Sequence, residues 1–355
     1  GRTKAEEQSY TISRDTIVKG KAVMRIEGLD AARFLAFCGM VLVNFRIAAQ
    51  VAPGPDIASA LTNALEGRAA ALFVVLAGTG LALARPTPGL VLRRAAFLFA
   101  AGLVNLAVFE ADILHFYGLY FLAALPFLNA SGRRLWAGIA AVLAVSLAGF
   151  FLLDYDAHWD WDSLTYSGFW TLEGFLRHSF FNGWHPVFPW MAFLLFGLWL
   201  GRQNLQSRRF QLLMVAAGSL AAAAGMLPQH AAADPELAFL LGTGAIPPGP
   251  FYILSAGGSA AAMAGAALLA VPALERLRLL PWLAAPGRQA LSLYIAHILI
   301  GMGALEALGM LSGSLTLQQI FWISAAFCAG SAVYARIWAM PFRHGPLEAL
   351  MRRLA

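Results

Sequence analysis

The stretch EADILHFYGLY (110–120) sets Glu110, Asp112 and His115 close together in a chain that is 59% hydrophobic. Ionisable side chains are expensive near a bilayer, so those retained there are functional candidates. On a helix starting near Asp112, Asp112 and His115 lie at i and i+3 on one face. A carboxylate beside an imidazole orients the ring and raises its basicity, as a general base requires. Glu110, two positions before Asp112, would point elsewhere and reads as an interfacial residue.

Other polar residues fall at a similar depth. Asn44 and Arg46 close the first apolar run (VLVNFRIA), and Glu66 and Arg68 open the second (ALEGRAAALF). Asn182 and His185 precede another in FFNGWHPVFPW, and His297 lies well inside LYIAHILIG. Convergence of these segments would build one pocket in the outer half of the bundle. Each residue also has a plainer reading. A His or Asp at a membrane edge serves equally well as an interface anchor. Arg46 can snorkel and pair with Asp56, Glu66 and Arg68 can form a structural ion pair, and His185 before Pro186 can cap a helix. His158, His178 and His230 read as exposed loop residues. His297 is harder to set aside, because a histidine near the midplane needs a partner.

The elements that carry these residues follow from composition. Only 12% of the chain is charged, against about 25% in soluble domains, and mean hydropathy is +0.67. Apolar runs of about 18 or more residues recur, each long enough to span a bilayer. The expectation is an all-α, polytopic membrane bundle of about ten helices, near 31–50, 62–84, 91–108, 113–129, 135–153, 186–201, 210–228, 251–272, 288–308 and 317–339. Residues 1–23 read as a linker or cytoplasmic tail, and 24–355 as a single transmembrane domain.

The net charge of +6 does not signal nucleic acid. Lys and Arg sit in alternate short loops, at Arg85, Arg93 and Arg94, at Arg133 and Arg134, at Arg202, Arg208 and Arg209, at Arg276, Arg278 and Arg288, and near both ends. That pattern puts both termini in the cytoplasm. The loop at about 154–185 would then lie outside, its many aromatic residues suited to the membrane surface. Cys38 and Cys328 fall in apolar runs and read as packing residues. The glycines of AGTGLALA read as close helix contacts rather than phosphate ligands. FVVLAGTGLALAR and FLLFGLWLGR look alike, as an internal duplication or as apolar low complexity. No P-loop, G-x-S-x-G or H-E-x-x-H motif occurs, and no metal is expected.

RIEGLDAARFLAFCGMVLVNF, EGRAAALFVVLAGTGLAL, DILHFYGLYF, FNGWHPVFPWMAFLLFGLWLGR, GRQALSLYIAH and FRHGPLEALMRRL, in that order, resemble the YeiB-like bacterial membrane proteins. That family is distantly similar to heparan-α-glucosaminide N-acetyltransferase and other transmembrane acyltransferases. The resemblance implies a bacterial inner-membrane protein that moves an acyl group, such as acetyl, from cytosolic acyl-CoA to a glycan or lipid on the far side. Asn44 matches a functional Asn at the end of that family's first span. The family's catalytic His follows shortly after it, but RIAAQVAPGPDIASALTNALEGR holds no histidine. For acyl transfer, His115, His185 or His297 would have to substitute as the base, with Asn44 or Arg68 stabilising the oxyanion. On the cytoplasmic side Arg85, Arg93, Arg94 and Arg288 are placed to receive CoA phosphates. Expected partners are membrane lipids and the acceptor, with a homodimer left open. The rival readings are a proton-coupled transporter or lipid-binding protein, which would use the same intramembrane groups without bond formation, and a structural scaffold.

Overall fold

The computed structural model describes residues 26–231 and 240–354. Residues 1–23, read as linker or tail, lie outside them. The described chain is a helical membrane bundle. Its helices are α1 (Glu27–Ala48), α2 (Ile57–Leu65), α3 (Arg68–Ala84), α4 (Pro88–Leu106), α5 (Leu114–Ala124), α6 (Gly132–Leu152), α7 (Leu172–Arg177), α8 (Val187–Leu200), α9 (Arg208–Met226), α10 (Pro250–Arg276), α11 (Leu280–Gly287), α12 (Ala290–Ala296), α13 (Gly303–Ala307), α14 (Leu317–Trp338) and α15 (Pro346–Leu354). A two-residue hairpin pairs β1 (Trp159–Asp160) antiparallel with β2 (Thr165–Tyr166).

Among the described residues, eight helical stretches are long and apolar enough to cross a membrane. A ninth arises if the helices Leu172–Asn182 and Val187–Leu200, bent by 48°, count as one broken span. The shorter apolar helix Leu114–Phe127 occupies the remaining expected run. Local signals set the boundaries. Thr87 and Ser131 accept from the first backbone N–H groups of α4 and α6, and Pro88 opens α4, where a missing N–H costs nothing. Thr316 and Gln319 close a capping box on α14.

The bundle centre is α1, α3, α8 and α10, whose facing sides are buried. Close approach explains AGTGLALA. A Cβ on Gly78 would stand 2.2 Å from the Leu194 carbonyl, and one on Gly197 would stand 2.1 Å from that of Val75. The Thr79 hydroxyl lies 3.2 Å from the Gly197 carbonyl oxygen. The two look-alike segments therefore pack against each other. Helices α4, α6, α9 and α14 turn much apolar surface outward, including Val104, Phe151, Leu220 and Trp322; such a surface suits lipid contact.

Most of the arginines gather at one end of the bundle, while Arg46, Arg68 and Arg177 lie toward the other. Arg202 donates to the carbonyls of Phe127, Leu128 and Ala130. Arg288 pairs with Glu27 at 3.4 Å, and α15 packs on α4 and α12. The start of α1 and the end of the chain thus share this basic end. The 154–185 segment lies at the opposite end.

Candidate functional site

A pocket, open at its mouth, lies at the end opposite Arg85, Arg202 and Arg288. Its wall takes Asn44 from α1, Glu66, Gly67, Ala69 and Ala70 from the α2–α3 corner, Ala111 and Ile113 from before α5, Trp184 and His185 from the bend before α8, Ile246, and Tyr294 from α12. Sequence-distant segments meet here because α3 and α8 are held together along their glycines. The corner is fixed by Tyr252, whose hydroxyl donates to the Gly67 carbonyl at 3.0 Å.

The pocket is backed by a hydrogen-bonded wall. His297 is fully buried, and its Nδ1 donates to the Tyr294 carbonyl. That bond leaves Nε2 as an acceptor, and Asn44 Nδ2 lies 3.0 Å from it. One Asn44 hydrogen is committed to His297, and the other is free to serve the pocket that Asn44 lines. His297 opens a π-helical turn (His297–Met302), an irregularity common at functional sites. The Tyr294 hydroxyl donates to Asp112 Oδ1 at 3.1 Å and accepts from the Ile113 N–H at 3.1 Å. Asp112 also accepts from Asn105 Nδ2 at 2.6 Å and from the Leu114 N–H at 2.8 Å. The carboxylate therefore caps α5 and ties α4, α5 and α12 together.

Asp112 and His115 do come together, with His115 Nδ1 3.6 Å from Asp112 Oδ2. That exceeds a hydrogen bond, and neither ring nitrogen of His115 has a hydrogen-bond partner. His115 is fully buried and is not among the residues that line the pocket. Its ring packs on Phe116, 3.9 Å between centroids, and lies 5.8 Å from His178 in near-parallel stacking. His185, by contrast, lines the pocket, half-buried. Its ring meets Trp190 edge-on and its Nδ1 has no hydrogen-bond partner. The Tyr120 hydroxyl holds its backbone by donating to the His185 carbonyl at 2.6 Å.

Arg68 stands behind the wall, with Nη2 3.3 Å from Ser255 Oγ. The expected Glu66–Arg68 and Arg46–Asp56 pairs give way to one pair, Arg46–Glu66, at 3.0 Å. The reason is that Asp56 is used locally as the N-cap of α2, accepting from the Ser59 N–H and hydroxyl. Those bonds hold its carboxyl below the usual value. Glu110 is exposed, as an interfacial residue would be, and accepts from the Tyr166 N–H at 3.3 Å.

His178 corrects its reading as an exposed loop residue. It is 2% exposed, under Tyr166, Phe169 and Trp159. The hairpin closes over it because Asn182 binds the carbonyls of Tyr155 and Ala157 and accepts from the Tyr166 hydroxyl. Burial pushes the Tyr166 phenol up to about 12. His158 is half-buried beside Glu173, and the His230 side chain lies outside the described ones.

The four expected phosphate ligands do not share a cleft. Arg85 lines a cleft at the basic end, together with Asn129 and Arg202. Arg93 is exposed, Arg94 is half-buried near Arg352, and Arg288 is paired with Glu27. Arg202 is a residue that sequence reasoning used only for topology, although it ends FLLFGLWLGR as Arg85 ends FVVLAGTGLALAR. Arg33, also missed, reaches over Gly80 near the same cleft and donates to Asp30 at 2.5 Å. From Ala70 at the pocket to Arg85 at the cleft, α3 rises roughly 22 Å at about 1.5 Å per residue.

The architecture is thus that of a polytopic helical membrane protein with a largely apolar pocket carrying Asn44, Glu66, His185 and Tyr294 at one end and an arginine-lined cleft at the other. The family model described as heparan-alpha-glucosaminide N-acetyltransferase, catalytic, matches residues 25–233, more than half of the chain, and the chain belongs to that family. The model of a protein of unknown function (DUF418) matches residues 198–355. No curated protein matches the chain. The pocket wall draws on both matched regions, Asn44 and His185 from the first and Tyr294 from the second.

Proposed function

We propose that the protein transfers an acyl group from cytosolic acyl-CoA to a hydroxyl or amine of a glycan or lipid presented at the pocket, across a bacterial inner membrane with both termini inside. The observation that carries this reading is the Asn44–His297 hydrogen bond in the wall of a pocket that His185 also lines. The family's first-span Asn is matched by Asn44, and a histidine reaches it from 253 residues away instead of from the next loop.

In this mechanism Arg85 and Arg202 receive the CoA phosphates at the basic end, and the thioester arm runs along α3 to the pocket. Of the candidate bases, His185 alone lines the pocket. It takes the acceptor's proton as the acceptor oxygen or nitrogen attacks the thioester carbon. Asn44, oriented by His297, donates its second amide hydrogen to the oxyanion. The intermediate collapses, the C–S bond breaks, and His185 returns the proton to the leaving thiolate. Asp112 positions the wall through Tyr294. His297, His115 and Arg68 support the site from behind it.

Incubation of purified protein with acyl-labelled CoA and glycan or lipid acceptors tests the proposal. The expected result is label in the acceptor and free CoA thiol. A transporter would bind or move the ligand with the thioester intact, and that result ends the enzymatic reading. External labelling of single cysteines should reach 154–185 and not position 208; labelling at 208 would reverse the orientation.

A further inference from the structure

The C-terminal helix α15 has an apolar stripe that continues off the protein. Leu347, Leu350, Met351 and Leu354 follow the i, i+3, i+4, i+7 spacing of one helical face. Leu347 and Met351 are half-buried, while Leu350 and Leu354 are 43% and 64% exposed. Met340 and Phe342, just before the helix, are exposed as well. Exposed arginines adjoin this surface, namely Arg343, Arg352 and Arg353 in the same segment and Arg93 on α4.

Beside the stripe two positive charges lie near one another. Arg94 projects from α4, which α15 touches, and Arg352 stands near enough for the two guanidinium charges to repel. Arg94 Nε is buried without a hydrogen-bond partner. Arg352 Nη1 contacts the His344 ring at 2.9 Å. Among the described residues no ion pair joins a carboxylate to Arg94 or Arg352. The one carboxylate of α15, Glu348, is turned the other way. It accepts from the Leu291 N–H at 2.7 Å and the Ser292 N–H at 3.2 Å, and so caps α12 from outside the helix. Tyr294 lies on α12 and His297 directly follows it.

We infer that Arg94 and Arg352 form a binding site for the phosphate of an anionic membrane phospholipid, whose acyl chains lie against Leu350, Leu354 and Phe342. Guanidinium forks match phosphate geometry, and an amphipathic helix with flanking arginines is suited to an anionic bilayer surface. A soluble phosphate would satisfy the two arginines but would leave the apolar stripe in water. Occupancy would hold α15 in place, and Glu348 would pass that restraint to α12.

The test places the full chain in nanodiscs of phosphatidylcholine alone and of phosphatidylcholine with phosphatidylglycerol. Hydrogen exchange is read at 346–354 and 290–296, and retained lipid is measured by native mass spectrometry. Phosphatidylglycerol should slow exchange in both segments and be retained. Each arginine near an anionic surface contributes about fivefold, so Arg94→Gln with Arg352→Gln should weaken retention by about 30-fold. Where that double variant does not fold, Arg352→Gln alone, at an exposed position, should lose about fivefold. Glu348→Ala, which removes the acceptor, should leave lipid retention intact and abolish the lipid's effect on 290–296. Equal exchange in the two membranes, or an unchanged lipid response in the arginine variants, overturns the inference. Protection by CoA or inorganic phosphate in phosphatidylcholine, with none from phosphatidylglycerol, also overturns it and returns Arg94 to a soluble phosphate ligand. Neither lipid readout depends on acyl transfer, so this inference and the proposed function fail separately.

Discussion

Two groups of polar residues lie side by side at one end of the bundle and are built differently. The pocket wall of Asn44, His297, Tyr294 and Asp112 is hydrogen-bonded from member to member and faces open space. The neighbouring group, His115 with His178, is sealed by the 154–185 segment, and both ring nitrogens of His115 and the Nδ1 of His178 lack hydrogen-bond partners. Both contain histidines in a membrane protein, and both would score alike on residue type. Access and hydrogen-bond direction separate them. A base must reach the proton it removes, which favours His185 at the pocket over His115 behind Phe116.

The largest expected effect puts that contrast to the test directly. His185→Ala should lower turnover by about 10²–10⁴-fold, and Asn44→Ala by about 10²–10³-fold, each with CoA binding retained. His115→Ala should leave turnover within a few-fold of wild type, because its ring does not line the pocket. Parallel kinetics on the three variants decide the matter. Lost turnover in His115→Ala with normal melting would make the sealed group the catalytic one.

Asp112 joins the two groups, so its removal should act on stability. Asp112→Ala strands the donors of Asn105, Tyr294 and Leu114, each costing about 1–3 kcal/mol when left unmet in the interior. A loss of about 3 kcal/mol or more is expected in denaturant or thermal unfolding. Asp112→Asn retains an acceptor oxygen and should lose less. Equal melting of Asp112→Ala and wild type would show that the wall holds without its carboxylate.

Gly102 sharpens the same comparison from the side. A Cβ there would stand 2.0 Å from the His115 backbone nitrogen. Gly102→Ala should force α4 from α5 at a cost of about 1–3 kcal/mol and should move Asp112 with it. The checks are melting together with kcat. A variant that melts normally would show that α4 and α5 can separate without strain.

What could be read from sequence follows the range of the forces involved. Each of the ten expected runs has a helical counterpart, because hydrophobic length is a local property and the bilayer imposes it. The packing role of AGTGLALA was legible for the same reason. Partner choice was not. Asn44 and His297 meet across the whole chain, and nothing near Asn44 announces a histidine. His178 sits in a long polar-aromatic segment, and its burial depends on Asn182 folding that segment back. Arg46 was paired with the wrong carboxylate because Asp56, nearest in sequence, is used as a helix cap. The scatter of the arginines also has a plain cause, since basic residues recur in the loops at one end of a membrane bundle whether or not they bind anything. Arg202 therefore drew no notice among its neighbours.

Asp56 provides the smallest effect and a control outside both groups. Bonds from the Ser59 backbone and hydroxyl lower its carboxyl below the reference value of 3.8. A carboxyl depressed in the folded state stabilises fully above its unfolded value and loses that contribution as pH falls through the folded one. Wild type should therefore shed a small increment of stability on acidification below about pH 5, and Asp56→Asn, which cannot ionise, should lack that increment. Because the residue caps α2 at an exposed position, neither its loss nor its titration should alter the Asn44–His297 pair. Melting curves across acidic pH for the two proteins measure the increment, and turnover at neutral pH should be the same in both. A change in turnover would show that the α2 end moves with the pocket, making Glu66 and Gly67 a mobile edge of the site rather than a fixed one.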